Sequence, residues 1–516
     1  MVKLMISRSV SRLLLLILLP ELLFINLAVS QTDIKTLPGF KGQLPFNLET
    51  GYVGLGKNDE NLQLFYYFVE SERNPRHDPV IIWINGGPGC SALWPFFYQI
   101  GPLKFDYANV VGTLPQMEIN PYSWTKVASV IFVDASGSGF SYAKTEEAYK
   151  TSDTATAASI DQFLRKWLVK HPKYLSNPLY VAGVSYAGLI IPVAVQDIIN
   201  GNEAGAYPRV NIKGYMGGNP LTDIDTDFNS RIPYAHQFAL LSDEMFESAD
   251  ANCNGDFTNL NSINGLCQNS LLHVDECLKY INEHQILEPM CESEMTTKRM
   301  LQQMPQSSNM NLVKSIQLSR LPQSWCRGDN YAYATAWASD ETVQPFNLNH
   351  NLYIFYNRLK GDNYAYATAW ASDETVQKAL HVREETIQDW LMCNDDHYEL
   401  GRNSTSTFQY DITSTIGYHR NLTQTDCRAL IFSGDHDLVF PYIGTQKWIH
   451  SLDLTVTKPW SPWFINRQVG GYTEILSYKD YSLTFATVKG AGHASPEYKP
   501  EECLSMVDRW LNSTFM

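Results

Sequence analysis

The sequence predicts an α/β protein with a mostly parallel central sheet and an inserted, mainly helical cap. Three observations carry that expectation. Short apolar runs recur at 80–84, 129–133, 179–184, 212–216, 429–432 and 483–488, each bounded by turn residues. Runs of that length without alternation suit strands buried on both faces. Helical patterns separate them. The clearest spans 152–171, where Ile160, Phe163, Leu164, Trp167 and Leu168 share one face and Pro172 stops the helix. Strands alternating with helices argue for a parallel sheet. The rhythm lapses between about 220 and 390, which is rich in Asn, Gln and Met, and resumes at Cys427. A composition shift with sheet segments on both sides predicts an insertion. The expected division is therefore a core of 31–219 and 391–516, with a cap of 220–390.

Two stretches stand apart from this plan. Lys3, Arg8 and Arg12 precede an apolar run at 13–19, Pro20-Glu21 interrupts it, and 22–29 resumes it before Ala28-Val29-Ser30. This pattern predicts a secretory signal peptide over 1–30, rather than a stable membrane anchor, because the break leaves no apolar span of about 18 residues. The second stretch is a repeat. Residues 328–344 read GDNYAYATAWASDETVQ, and 361–377 repeat it letter for letter. Structural repeats diverge in sequence, and a stacked array needs three or more copies. The expected reading is an aberrant duplication over 328–360, with the second copy belonging to the fold because it alone runs on into a helix at 376–382.

Composition narrows the function classes. With 39 basic and 54 acidic residues the net charge is −15, which disfavours nucleic-acid backbones as partners. Export places the nine cysteines in an oxidising compartment. It also makes the sequons at Asn403, Asn421 and Asn512 candidate glycosylation sites. The expected location is the secretory pathway, extracellular or vacuolar. An odd cysteine count leaves at least one unpaired within the chain. No metal or dinucleotide motif is found, so no metal and no cofactor is expected, and the oligomeric state stays open.

The motif that carries chemistry is Gly183-Val184-Ser185-Tyr186-Ala187-Gly188, between the strand at 179–184 and an apolar helix at 189–199. Such a turn exposes a serine hydroxyl beside the amide end of a helix. The serine needs a base and an orienting acid. Asp435 and Asp437 follow the strand at 429–432, and His493 follows the strand at 483–488. All lie at carboxyl ends of strands, the edge where open α/β sheets bind ligands. Asn85-Gly86-Gly87-Pro88-Gly89-Cys90 follows the strand at 80–84, and its glycines allow close backbone approach. The amides of Gly87 and Tyr186 are the expected oxyanion donors.

These blocks resemble the serine carboxypeptidase family, which has the α/β-hydrolase fold. WINGGPGCS at 83–91, GSGFSY at 137–142, GVSYAG at 183–188, SGDHD at 433–437 and GAGH at 490–493 occur in family order. The wording between them is similar to the plant serine carboxypeptidase-like group, which contains both peptidases and glucose-ester-dependent acyltransferases. The resemblance implies a Ser185–Asp437–His493 triad, with Asp435 tying down the loop. It implies that Asn85, Gly86 and position 184 bind substrate, whether a peptide or a small molecule. Position 184 departs from the pattern. The family's peptidases carry Glu there and its acyltransferases commonly Asp, whereas this chain has Val184. Loss of a hydrogen bond to a charged carboxylate costs about 1.5–3 kcal/mol. By resemblance, Cys90 pairs with Cys393, Cys253 with Cys267, and Cys291 with Cys326, leaving Cys277, Cys427 and Cys503. Three functions follow: a carboxypeptidase-like hydrolase releasing C-terminal residues from peptides, a hydroxycinnamoyl acyltransferase on the same triad, or a catalytically silent relative.

Overall fold

The computed structural model describes residues 31–56, 61–106, 114–258, 265–290, 365–387, 390–394 and 408–514. The leader at 1–30, the segment 328–360, Cys291, Cys326 and Asn403 lie outside the described residues.

The sheet has twelve strands. Three open it: β1 (Gln31–Ile34), β2 (Leu48–Leu55) and β3 (Leu62–Val69). Its centre is β4 (Val80–Ile84), β5 (Ser129–Val133), β6 (Leu179–Val184), β7 (Ile212–Gly218) and β8 (Arg428–Gly434). A hairpin of β9 (Thr455–Ile465) and β10 (Gln468–Tyr478) leads into β11 (Tyr481–Val488). The spatial order is β1-β2-β3-β5-β4-β6-β7-β8-β11-β10-β9, with Tyr142–Ala143 pairing β3 beside this path. From β5 to β11 every neighbouring pair is parallel. Both flanks are antiparallel.

The five central strands and β11 match the six apolar runs because both faces are covered. Ile81, Trp83, Val130, Phe132, Ala182 and Phe432 enter one apolar layer. Their neighbours Ile82, Ile84, Ile131, Val133, Val181 and Ile431 enter the other. Neither side of such a strand faces water, so no polar alternation survives. The flanking hairpins were not legible in this way. Strand β9 lies at the sheet edge and is mostly exposed, and it carries Pro459 and Pro462. Proline is tolerated only where no ladder donor is needed.

The second layer is covered by helices α1 (Asp153–Lys170) and α2 (Ala187–Glu203). Ser152 caps α1 by accepting from the Ala155 amide, and Ile160, Phe163, Leu164, Trp167 and Leu168 are all buried. The segment after β7 contributes α3 (Arg231–Gln237), α4 (Asp243–Cys253) and α5 (Gly265–Leu278) around a separate small apolar cluster. A disulfide joins Cys253 to Cys267 within it.

The second copy of the repeat packs on the first apolar layer. It forms α6 (Ala365–Ser372) and α7 (Glu374–Ala379). Tyr366, Trp370, Val376 and Leu380 enter that layer. The Trp370 indole donates to the Pro38 carbonyl at 2.7 Å, and its ring lies edge-on to Phe97 at 5.0 Å. Truncating this buried ring removes both contacts and leaves a cavity. Trp370→Ala is expected to lower stability by about 3–5 kcal/mol in denaturant unfolding. A change below about 1 kcal/mol would mean that this copy does not pack as described.

Candidate active site

Three elements at the carboxyl edge of the parallel strands build the site. The first is the sharp turn from β6 into α2. Ser185 sits there with φ +62, a left-handed conformation that costs an L-residue roughly 1–2 kcal/mol. The turn is possible because β4 lies very close: a Cβ on Gly183 would fall 2.2 Å from the Ile84 carbonyl oxygen. The second loop follows β4. A Cβ on Gly86 would fall 2.8 Å from the Ser185 Cβ and 3.1 Å from the Tyr186 nitrogen. Glycine therefore lets the 85–90 loop lie against the serine turn, which brings the Gly87 and Tyr186 segments together. The third element comprises the loops after β8 and β11.

Those loops meet the serine. The His493 Nε2 lies 2.8 Å from Ser185 Oγ, and its Nδ1 lies 2.8 Å from Asp437 Oδ2. Ser185, Asp437 and His493 are all buried. Asp437 Oδ1 accepts from the Val439 amide at 2.7 Å, and Oδ2 also accepts from Asn219 Nδ2 at 2.8 Å. Asp435 acts differently. Its Oδ1 accepts from the Gly490 amide at 2.7 Å and so joins the two loops. A carboxylate that holds one imidazole nitrogen leaves the other able to accept the serine proton, the arrangement of an activated nucleophile.

The serine turn and the 83–91 block are braced by buried carboxylates. The Tyr186 hydroxyl donates to Asp153 Oδ1 at 2.5 Å, and Asp153 Oδ2 accepts from the Ile412 amide. Burial pushes the Asp153 carboxyl up to about 6. Asp134 accepts from the Ser91 hydroxyl, the Ala92 amide and the Phe140 amide, so it ties the 83–91 block to the 137–142 block. Burial outweighs those three donors and pushes it up to about 6. The Cys90–Cys393 disulfide fastens the same region to residues 390–394. Asn394 reinforces it, donating to the Gly89 carbonyl from its backbone and to the Gly137 carbonyl from its side chain.

Asn85 donates from Nδ2 to the Ser91 carbonyl at 3.1 Å. A carbonyl can only accept, so this bond settles the amide's orientation. Its Oδ1 is buried and has no hydrogen-bond partner among the described residues. Strand register pairs Gly183 with Ile84, the residues that directly precede Val184 and Asn85. Val184 is buried and supplies no donor.

A family model described as serine carboxypeptidase matches residues 38–513. The chain belongs to that family. Serine carboxypeptidase-like 3 of Arabidopsis thaliana is 41% identical over 506 residues, covering 98% of this chain and 97% of that protein. Serine carboxypeptidase-like 17 of the same plant is 39% identical over 492 residues, covering 95% of each. A prohormone-processing carboxypeptidase from Saccharomyces cerevisiae superposes with a TM-score of 0.65 at 18% identity, covering 91% of this chain and 92% of that one. That likeness is one of fold, and it places this serine carboxypeptidase relative among the α/β-hydrolases.

Other expected positions fall away from this edge. Asn421 and Asn512 are exposed, as glycan acceptors must be. Cys277, Cys427 and Cys503 are free. Sequence reasoning missed Asn219. It lies fully buried with φ +40, just past β7. Besides donating to Asp437, its Oδ1 accepts from the Gly434 amide and the Ser495 hydroxyl. The Gly217-Gly218-Asn219-Pro220 turn after a strand was the available signal, since asparagine tolerates that backbone. His284 was also missed. Its ring lies edge-on to His493, with centroids 5.5 Å apart.

Asn219→Leu removes three hydrogen bonds to buried partners, each at about 1–3 kcal/mol. It is expected to slow fluorophosphonate labelling of Ser185 by roughly tenfold or more. An unchanged labelling rate would remove Asn219 from the site.

A pH effect comes from Asp227. Its Oδ2 accepts from the Thr222 and Asp223 amides, and its Oδ1 has no partner among the described residues. Burial, with the charges of Asp223 and Asp437 adding to it, raises this carboxyl from 3.8 to about 7. A raised carboxyl contributes stability that is full below pH ~4 and lost as pH rises through ~7. Asp227→Asn resembles the protonated form, so its thermal midpoint is expected to fall less between pH ~4 and ~8 than that of the parent. Parallel curves would exclude Asp227 as a source.

Proposed function

We propose that this chain is a serine carboxypeptidase-type hydrolase that works through an acyl-enzyme and releases C-terminal residues from peptides. The observation that carries the reading is the buried Ser185–His493–Asp437 relay, with 2.8 Å on each side of the imidazole. In the first step His493 Nε2 takes the Ser185 proton as Oγ attacks the carbonyl carbon. Asp437 holds the imidazole tautomer and balances the charge that forms on it. The Gly87 and Tyr186 amides bind the developing oxyanion. The imidazolium then protonates the leaving group. Water, activated by the same histidine, releases the acyl group and restores Ser185. The location that suits this reading is the secretory pathway, where Cys90–Cys393 and Cys253–Cys267 persist.

A second reading is favoured by one feature. Val184 sits where the family's peptidases carry the acid that holds a substrate carboxylate, and the neighbouring Asn85 Oδ1 has no donor facing it among the described residues. A bare acceptor repels a carboxylate. In an acyltransferase the same acyl-enzyme would form from a glucose ester, and an alcohol rather than water would take the acyl group.

One set of assays separates the two. The purified protein is treated with a fluorophosphonate, then offered a blocked dipeptide in parallel with a hydroxycinnamoyl glucose ester plus malate. Labelling at Ser185 with dipeptide cleavage is the expected result. Labelling with ester transfer alone would replace the first reading by the second. No labelling would leave a catalytically silent protein. Val184→Glu is expected to raise dipeptide cleavage by roughly ten- to a hundredfold, most strongly at acidic pH where one of the paired groups is protonated. An unchanged rate would exclude position 184 from carboxylate binding.

A further inference from the structure

The insertion returns to the triad edge just before residue 290. There, four consecutive residues are stitched to both loops that carry the acid and the base. The Glu283 carbonyl accepts from the Leu438 amide at 2.8 Å, and the Ile286 amide donates to the His436 carbonyl at 3.1 Å. The His284 carbonyl accepts from the amide of His493 itself at 2.8 Å. Gln285 Nε2 donates to the Gly490 carbonyl at 3.1 Å. Gln285 and His284 are buried. The fit is close, since a Cβ on Gly492 would fall 2.1 Å from the His284 carbonyl oxygen. From outside, Arg231 on α3 braces the segment. It pairs with Glu283 at 2.5 Å and donates to the Leu438 carbonyl at 2.9 Å.

We propose that residues 283–286 are the strut that positions His493, and that Gln285 is its positioning residue. The proposal rests on the assignment of Ser185, His493 and Asp437 made above. The strut's two outer residues bond to the 436–438 loop and its two central residues to the 490–493 turn, so it holds the spacing between them. The imidazole must stay within hydrogen-bond reach of a serine and an aspartate on two other segments. A displacement of about 1 Å can cost a hundredfold in rate. Gln285 grips the start of the turn that ends in His493, while the His284 carbonyl grips its end. The segment before residue 290 is on this view part of what positions the base.

The test uses the full-length protein and p-nitrophenyl acetate, with active sites titrated by fluorophosphonate. Gln285→Met keeps the side-chain length and removes the donor. It is expected to lower kcat per titrated site by at least tenfold while KM and the thermal midpoint stay close to the parent. A role in stability alone would lower the midpoint and the titrated fraction and leave kcat per site unchanged, and that result would overturn the proposal. If Gln285→Met does not fold, Arg231→Met reads the same strut from its outer side. A tenfold fall there supports the proposal, and an unchanged kcat per site overturns it. Failure of the parent protein to label would sink this inference together with the functional reading. Parent labelling with an unimpaired variant would sink the strut alone.

Discussion

The structure turns on one imidazole. His493 places one nitrogen on Ser185 and the other on Asp437, each at 2.8 Å, in a buried setting. These three residues come from turns after three different strands, β6, β8 and β11. Their meeting depends on the parallel register that sets those carboxyl ends along one edge. It depends equally on the strained backbone of Ser185, which lifts the hydroxyl off the end of β6. Folding must supply the roughly 1–2 kcal/mol of that conformation.

Around this contact the chain uses buried polar groups as ties. Asn219 links Asp437, Gly434 and Ser495. Asp134 links the two glycine-rich blocks, and Asp153 anchors the Tyr186 ring. Each is a polar side chain enclosed in an apolar interior, where an unmade bond costs more than a made one gains. The same enclosure raises Asp134, Asp153 and Asp227 toward neutrality. Their combined sign favours mild acid over neutral pH, because each carboxyl binds its proton more tightly folded than unfolded.

On the proposed function, position 184 is where a site keeps its relay and changes its recognition. Val184 fits the apolar packing below the serine turn, so the turn itself is undisturbed. What it lacks is a donor toward Asn85. The Asn85 amide is held in place by the Ser91 carbonyl and does not turn to compensate. On the proposed function, acyl transfer and the recognition of a terminal carboxylate therefore separate at this one residue.

Much of this was legible in the chain because the signals were local. Six apolar runs marked the parallel strands, since a strand covered on both faces has no polar alternation to lose. Glycine-rich turns after those strands marked Ser185, His493 and the 85–90 loop. Aspartate alternatives two residues apart were not resolved by pattern alone, and family resemblance pointed to Asp437. Packing then set Asp437 against His493 and Asp435 against the Gly490 amide. The antiparallel hairpins at the sheet edges escaped notice because one face of β9 is exposed and two prolines interrupt it. Asn219, Asp153 and the 283–286 strut escaped for a different reason. Their partners lie far away in sequence, and nothing beside an isolated Asn, Asp or Gln records which distant amide or carboxylate it will meet. Sequence alone determined which turns bear the reactive groups. Only the tertiary structure decided how those groups are held, because their spacing is set by contacts between segments that share no local pattern.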